Sequence, residues 1–338
     1  MRQQFAMTGQ RLQQVRPSPP RRDSWPSAGL YTGRMISLSP MHATTGPSGT
    51  PGPLSPNDLL FPEWPAPKAV KAVFTTRRGG VSRAPFSSMN LGTHVRDEAS
   101  AVAENRERLQ AWLQAEGARR AVFLDQVHGT VVEPLRRTTA DGCCADAALA
   151  TQPGLVCTVM VADCLPILLT TRTGRAVVAV HAGWRGLAGV QGQGVLERAV
   201  AALREAEAER TPGEPAPHIL AWLGPCIGPR RFEVGFEVRE AFGTAGQACF
   251  HPLPAAGKLL ADLPGLARLR LGALGVTGIY GNDGGDAWCT VMQDALYFSH
   301  RRDAARLGST GRMAACIWID ETGSGLDGRH GAGGTRSS

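Results

Sequence analysis

A chain of 338 residues with 43% apolar and 19% charged side chains can bury a sizeable core as one large domain or two modest ones, and it is too long to need disulfide staples. The formal net charge of +7 invites a polyanion as partner, but residues 1 to 60 supply +4 of it, six arginines against Asp23 and Asp58. No Lys/Arg block interleaved with aromatics tracks a phosphate backbone, and no apolar stretch reaches the roughly 20 residues of a spanning helix, so neither nucleic acid nor membrane is expected as a partner.

Residues 1–58 are rich in Pro, Ser, Gly, Thr and Arg without a sustained period, which predicts a disordered extension. Its opening, Met1 to Arg22, is arginine-rich and acid-poor like an organellar transit peptide, but a true start at Met35 or Met41 is the simpler reading. Apolar runs then predict strands at Val70–Thr75, Ala121–Leu124, Leu155–Leu169 (broken by Asp163 and Pro166), Ala176–Val180 and Ile219–Leu223. Between them, helical spacing runs through Val102, Leu109, Trp112 and Leu113 in Ala99–Ala115, and through Leu196, Ala199, Val200 and Leu203 in Val195–Ala208. A third helix is read in Leu259–Leu274, opened by Asp262 and Pro264. Strands interleaved with helices predict an α/β (α+β) domain with helices covering sheet faces over residues 59–320, and a loose Gly/Ser-rich tail over 321–338.

Three residues stand where an apolar run meets a turn: His128 in Gln126-Val-His-Gly129, Cys164 in Ala162-Asp-Cys-Leu-Pro166, and His181 before Ala-Gly-Trp-Arg-Gly186. Two imidazoles and a thiolate suit zinc and leave its fourth position for a water, which is the pattern of a catalytic rather than a structural site. Asp163 adds a carboxylate beside Cys164, and Asp125 and Gln126 are placed to orient the His128 ring. The glycines from Gly183 to Gly194 enter a helix and offer N–H groups to an anion, with Arg185 as a forked contact to phosphate. Arg77 and Arg78 at a glycine turn, with Arg301, Arg302 and Arg312 near the end, read either as a solvated basic surface or as an anion pocket built from distant segments. The same thiol also admits a metal-free hydrolase with Cys164 as nucleophile and His181 or His128 as base. The eight cysteines are not spaced as a framework, which predicts a reducing, cytoplasmic home.

With Phe74-Thr-Thr-Arg-Arg-Gly-Gly-Val-Ser82, Asn90-Leu-Gly92 with His94, Gln126-Val-His-Gly129, Ala162-Asp-Cys-Leu-Pro166, His181-Ala-Gly-Trp-Arg-Gly186, Leu223-Gly-Pro-Cys-Ile-Gly-Pro229, Arg301-Arg-Asp303 and Thr310-Gly-Arg312, the chain resembles the YfiH family, also called polyphenol oxidase or laccase-domain proteins. The resemblance implies a single domain of mixed β-sheets flanked by helices, in α-β-β-α layers, and zinc held by His128, Cys164 and His181. It also implies phosphorolysis of adenosine, inosine, guanosine and methylthioadenosine, with adenosine deamination alongside. In that reading Arg77 contacts phosphate, Asp163 orients a ligand or moves a proton, and Asn90, Gln126 and Arg185 join the nucleoside and phosphate site of a monomeric enzyme. The alternative is the metal-free Cys/His hydrolase, acting on an amide or a peptidoglycan precursor. Arg96, the inserted Val190–Gln193, His300 and the longer span between Asp303 and Thr310 depart from the family pattern.

Overall fold

The computed structural model describes residues 52–210, 212–213, 215–253 and 257–321. Of the extension expected over 1–58, residues 1–51 lie outside the described residues, as does the tail expected over 321–338 except Glu321, whose N–H donates to Gly117 O at 3.1 Å and whose carboxylate pairs with Arg119. Residues 52–58, read as part of the extension, are in part packed: Leu54 is buried, and Pro56–Asp58 forms a 3₁₀ turn whose Asp58 carboxylate accepts from the Ser55 N–H at 3.1 Å and hydroxyl at 2.8 Å.

Two sheets form the centre. One has five strands in the order β1 (Leu59–Leu60), β2 (Val70–Thr75), β14 (Met313–Ile319), β6 (Leu155–Val161) and β3 (Arg120–Phe123). The other has six, in the order β13 (Gly278–Gly281), β9 (Ile219–Leu223), β7 (Leu165–Thr171), β8 (Val177–Ala182), β5 (Ala147–Ala150) and β4 (Val132–Pro134). Both are mixed: in the first, β3 pairs with β6 in parallel and β14 with β6 antiparallel; in the second, β13 pairs with β9 in parallel and β7 with β8 antiparallel. The period of two divides each strand between two cores. In β6, Leu155, Cys157, Val159 and Val161 face the layer between the sheets, while Val156 and Met160 face helix α1 (Ala99–Ala115). In β14, Met313, Ala315, Ile317 and Ile319 point inward and Ala314, Cys316 and Trp318 point to α1.

The outer face of the six-stranded sheet is covered by α2 (Trp184–Ala188), α3 (Val195–Ala208), α4 (Phe236–Phe242) and α5 (Leu263–Ala273), with a small sheet of β10 (Glu233–Val234), β12 (Leu259–Ala261) and β11 (Phe250–Pro252). The order is therefore helix, sheet, sheet, helices, as expected. The helix read in Leu259–Leu274 starts later, because Leu259–Ala261 is taken into β12. Asp262 then caps α5 by accepting from the Gly265 N–H at 2.8 Å. Full burial of residues such as Phe74, Trp222 and Phe298 stabilises the inter-sheet layer by about 1.5–3 kcal/mol each. No helix among the described residues is long and apolar enough to cross a membrane.

This topology gathers four chain segments at one end of the sheets. The parallel pair β3 and β6 ends on the same side, so residues 124–129 and 162–164 leave together. β6 passes to the other sheet through Ala162-Asp-Cys164 into β7, whose first residue, Leu165, pairs with Ala182 at the end of β8. Opposite β8, Ala147 of β5 pairs with Val180, which brings Asp146 beside His181.

Candidate functional site

At that end His128, Cys164 and His181 converge, their ligand atoms all within 4.8 Å of one another. The Cys164 Sγ lies 3.6 Å from His128 Nε2, and the two imidazole centroids are 4.8 Å apart at 68°. His181 is buried, Cys164 half-buried and His128 exposed, so the cluster opens to solvent on the His128 side. Two imidazoles and a thiol at this spacing form a cluster that can hold a metal ion.

The backbone around the cluster is shaped for close approach. His128 has φ 61°, in the left-handed region that non-glycine residues seldom occupy. A Cβ on Gly183 would come within 2.6 Å of His128 Cδ2 and 3.2 Å of the Cys164 sulfur, and one on Gly186 within 2.7 Å of the Gly129 carbonyl. Glycine at these two positions lets the start of α2 press against the His128 loop.

One residue essential to this arrangement is absent from the sequence reading. Asp146, fully buried just before β5, accepts from His181 Nδ1 at 2.8 Å, from the His128 N–H at 2.9 Å and from the Gly129 N–H at 2.6 Å. Its signal in the sequence is a carboxylate leading the apolar Ala147–Ala150 run, and alanines do not advertise a strand.

The charges of the site are coupled. Burial alone pushes the Cys164 thiol up, but the charge of His181 and hydrogen bonds from His128 and His181 outweigh it and lower the thiol to about 6. Burial lowers His181, and the Cys164 charge together with the Asp146 hydrogen bond more than reverses this, raising it to about 9. The half-buried Arg312 faces the negative charges of Cys164 and Asp163, and desolvation is the main cause of its lowered pKa. His94 is lowered by burial and by Arg312.

The other expected site residues divide differently. Asp163, at φ 89°, accepts from the Thr290 hydroxyl and from the Arg301 N–H in the first turn of α6 (His300–Leu307), both at 2.6 Å. Its carboxylate thus braces the turn before Cys164. Asn90 uses its whole carboxamide within the fold, donating to Gly92 O and Asp97 and accepting from the Gly92 and Arg312 N–H groups. Gln126 clamps the backbone of Met160, accepting at 2.7 Å and donating at 2.8 Å. Arg77 donates to the carbonyls of Ser87 and Asp294 and lies over Phe298 at 4.7 Å. Arg185 is exposed, stacked on Trp184 at 4.3 Å, with no acidic partner among the described residues.

The glycine-rich run read as an anion cradle is filled from within. The Glu197 carboxylate accepts from the Gly194 N–H at 2.8 Å at the start of α3 and pairs with Arg270 at 2.8 Å. Val190–Gln193 closes a tight turn, with Gln193 N–H donating to Val190 O at 3.0 Å, and Arg270 holds it through Gly192 O.

Residues 71–320 match the family described as multi-copper polyphenol oxidoreductase laccase. A purine nucleoside phosphorylase of Pseudomonas aeruginosa is 48% identical over 271 residues, covering 78% of this chain and all of that protein. The purine nucleoside phosphorylase YfiH of Escherichia coli K12 is 45% identical over 262 residues, 77% of this chain and 98% of its own length. Among solved structures, the Neisseria meningitidis protein NMB0706 of family DUF152 superposes with a TM-score of 0.67 at 42% identity, covering 78% of this chain and 99% of that one. With the fold, the ordered motifs and these relatives in agreement, the chain belongs to the YfiH family of laccase-domain proteins.

Proposed function

We propose that this protein is a zinc-dependent purine nucleoside phosphorylase acting on adenosine, inosine, guanosine or methylthioadenosine, with adenosine deamination as a second outcome at the same site. The observation that carries the reading is the solvent-open His128, Cys164 and His181 cluster with Arg312 against it. The 3.6 Å between Cys164 Sγ and His128 Nε2 equals the separation of about 3.6 Å expected for a sulfur and a nitrogen on one tetrahedral zinc. The relatives named as purine nucleoside phosphorylases support the reaction class.

Zinc bound there would supply Lewis acidity. The chain's own groups do the rest. Asp146 holds His181 by Nδ1 and leaves Nε2 to face the cluster. Arg312, half-desolvated, offsets the charge of a phosphate brought to the ribose C1′ as the C1′–N9 electron pair leaves with the purine. Arg185 is free to add a forked contact, and Arg77 has its second terminal nitrogen left for the same anion. Asp163 acts by holding the Cys164 turn in place, its carboxylate being taken by Thr290 and Arg301. We place the protein in a reducing cytoplasm, where its eight unpaired cysteines would stay reduced, and take it as a monomer, since all three cluster residues come from one chain.

The test is metal analysis followed by incubation with each nucleoside, with and without phosphate, reading free base and ribose-1-phosphate by chromatography. About one zinc per chain and phosphate-dependent products are expected. No phosphate-dependent product would overturn the proposal, and phosphate-independent inosine from adenosine would report the deaminase. A second reading, a metal-free Cys164 hydrolase of an amide or a peptidoglycan precursor, draws on the lowered thiol beside His128 and on the His181–Asp146 pair. Activity that survives chelation but not alkylation of Cys164 would favour it.

A further inference from the structure

We infer that Asp146 is the positioning residue that makes His128 and His181 act as one unit, because a single buried carboxylate sets the orientation of both. The inference rests on the metal-site reading above and concerns a residue outside the cluster itself. Asp146 Oδ1 accepts from His181 Nδ1 at 2.8 Å and from the His128 N–H at 2.9 Å. Its Oδ2 accepts from the Gly129 N–H at 2.6 Å and from the Val127 N–H at 3.3 Å. Four donors meet four lone-pair sites, so the carboxylate is saturated as an acceptor.

Two consequences follow. A carboxylate can only accept, so Nδ1 carries a proton whatever the charge of the ring, and with zinc bound Nε2 would be the atom presented to it. The same oxygen holds the backbone of His128, whose φ of 61° lies in the sparsely occupied left-handed region. Strand register explains why one residue reaches both: Ala147 pairs with Val180, setting Asp146 across from His181, and the 127–129 turn closes over it. The ring of one ligand and the backbone of the other are thus fixed together, although they come from different elements. Asparagine would fill the same volume, but it would turn an N–H₂ group toward donors and lose half the set.

The test is zinc affinity, measured by chelator competition on the full chain, for the wild type, Asp146→Asn, His128→Ala and the double variant. Folding is checked by circular dichroism at the same temperature. Asp146→Asn is expected to bind zinc about 10–100-fold more weakly while folded. In the His128→Ala background its added effect should shrink, because part of it passes through His128. A folded Asp146→Asn protein with wild-type zinc affinity, or strict additivity in the cycle, would overturn the inference, since a merely structural carboxylate changes stability alone. Should the variants not fold, nitrogen-15 NMR of the zinc-loaded wild type decides: a His181 proton on Nδ1 supports the inference, and one on Nε2 overturns it. A wild type that takes up no zinc would remove the metal reading itself, and this inference with it. Wild-type zinc binding unaffected by Asp146→Asn would remove only the inference.

Discussion

His128, Cys164 and His181 each keep one ligand atom directed at a shared centre, whereas Asn90, Gln126 and most of Arg77, on neighbouring segments, spend their hydrogen bonds on the fold. Both groups look alike in sequence, polar residues at turns after apolar runs. The difference lies in what surrounds them. Asn90 and Gln126 stand where backbone N–H and C=O groups lack strand partners, and their amides complete the pairing that the chain cannot make with itself. The His/Cys group is backed by one carboxylate that takes up the rear donors and leaves the front atoms free.

The largest effect that separates the two groups is the reactivity of Cys164. With its thiol lowered to about 6, the metal-free protein should carry about a hundredfold more thiolate at pH 7 than an unperturbed cysteine. The sign follows from the depressed value: the thiolate's share of stability is present above the unfolded value of 9.0 and is lost as pH falls through about 6. Alkylation followed by peptide mapping should show Cys164 labelling with an inflection near pH 6, suppressed by zinc. An inflection near 9 would place Cys164 with the inert cysteines, of which Cys157 is pushed up beyond reach by burial.

The next effect is steric and confined to the cluster. Gly183 has φ −68°, which any residue can adopt, so Gly183→Ala acts only through its Cβ, 2.6 Å from the His128 ring. Zinc affinity is expected to fall about tenfold, at the low end of the cost of disturbing a ligand's support, with the fold retained. Unchanged affinity by chelator competition would mean that His128 is not held where its ring now lies.

The same physics explains what was legible in the sequence. The amphipathic stripes of α1 and α3 and the buried runs of β6 to β9 carry their period in adjacent residues, so the alternation of strands and helices could be read from the chain, while the four-layer order rested on the family resemblance. The three cluster residues could be read as well, since each sits at a strand end beside a turn. Asp146 could not, because its meaning depends on the register between β5 and β8, and the alanines of β5 give no strand pattern. The glycine run before α3 was legible as a turn but not as a filled one. Glu197, three residues into the helix sequence, folds back on the N-terminus that an external anion would otherwise occupy.

The smallest effect probes the other side of the comparison. Asn90 is fully buried, and replacing it by alanine leaves the Gly92 and Arg312 N–H groups without their acceptor. Each unsatisfied buried group costs about 1–3 kcal/mol, so Asn90→Ala should lower stability to chemical denaturation by an amount of that order. If Asn90 is scaffold, the surviving folded enzyme should keep its KM for phosphate and for nucleoside, because Asn90 offers no free atom to either. A raised KM with unchanged stability would be the opposite outcome, moving Asn90 from the scaffold to the binding site. It would also require the 90–92 turn to open on substrate binding, since only a broken Asn90–Gly92 pair would release the amide.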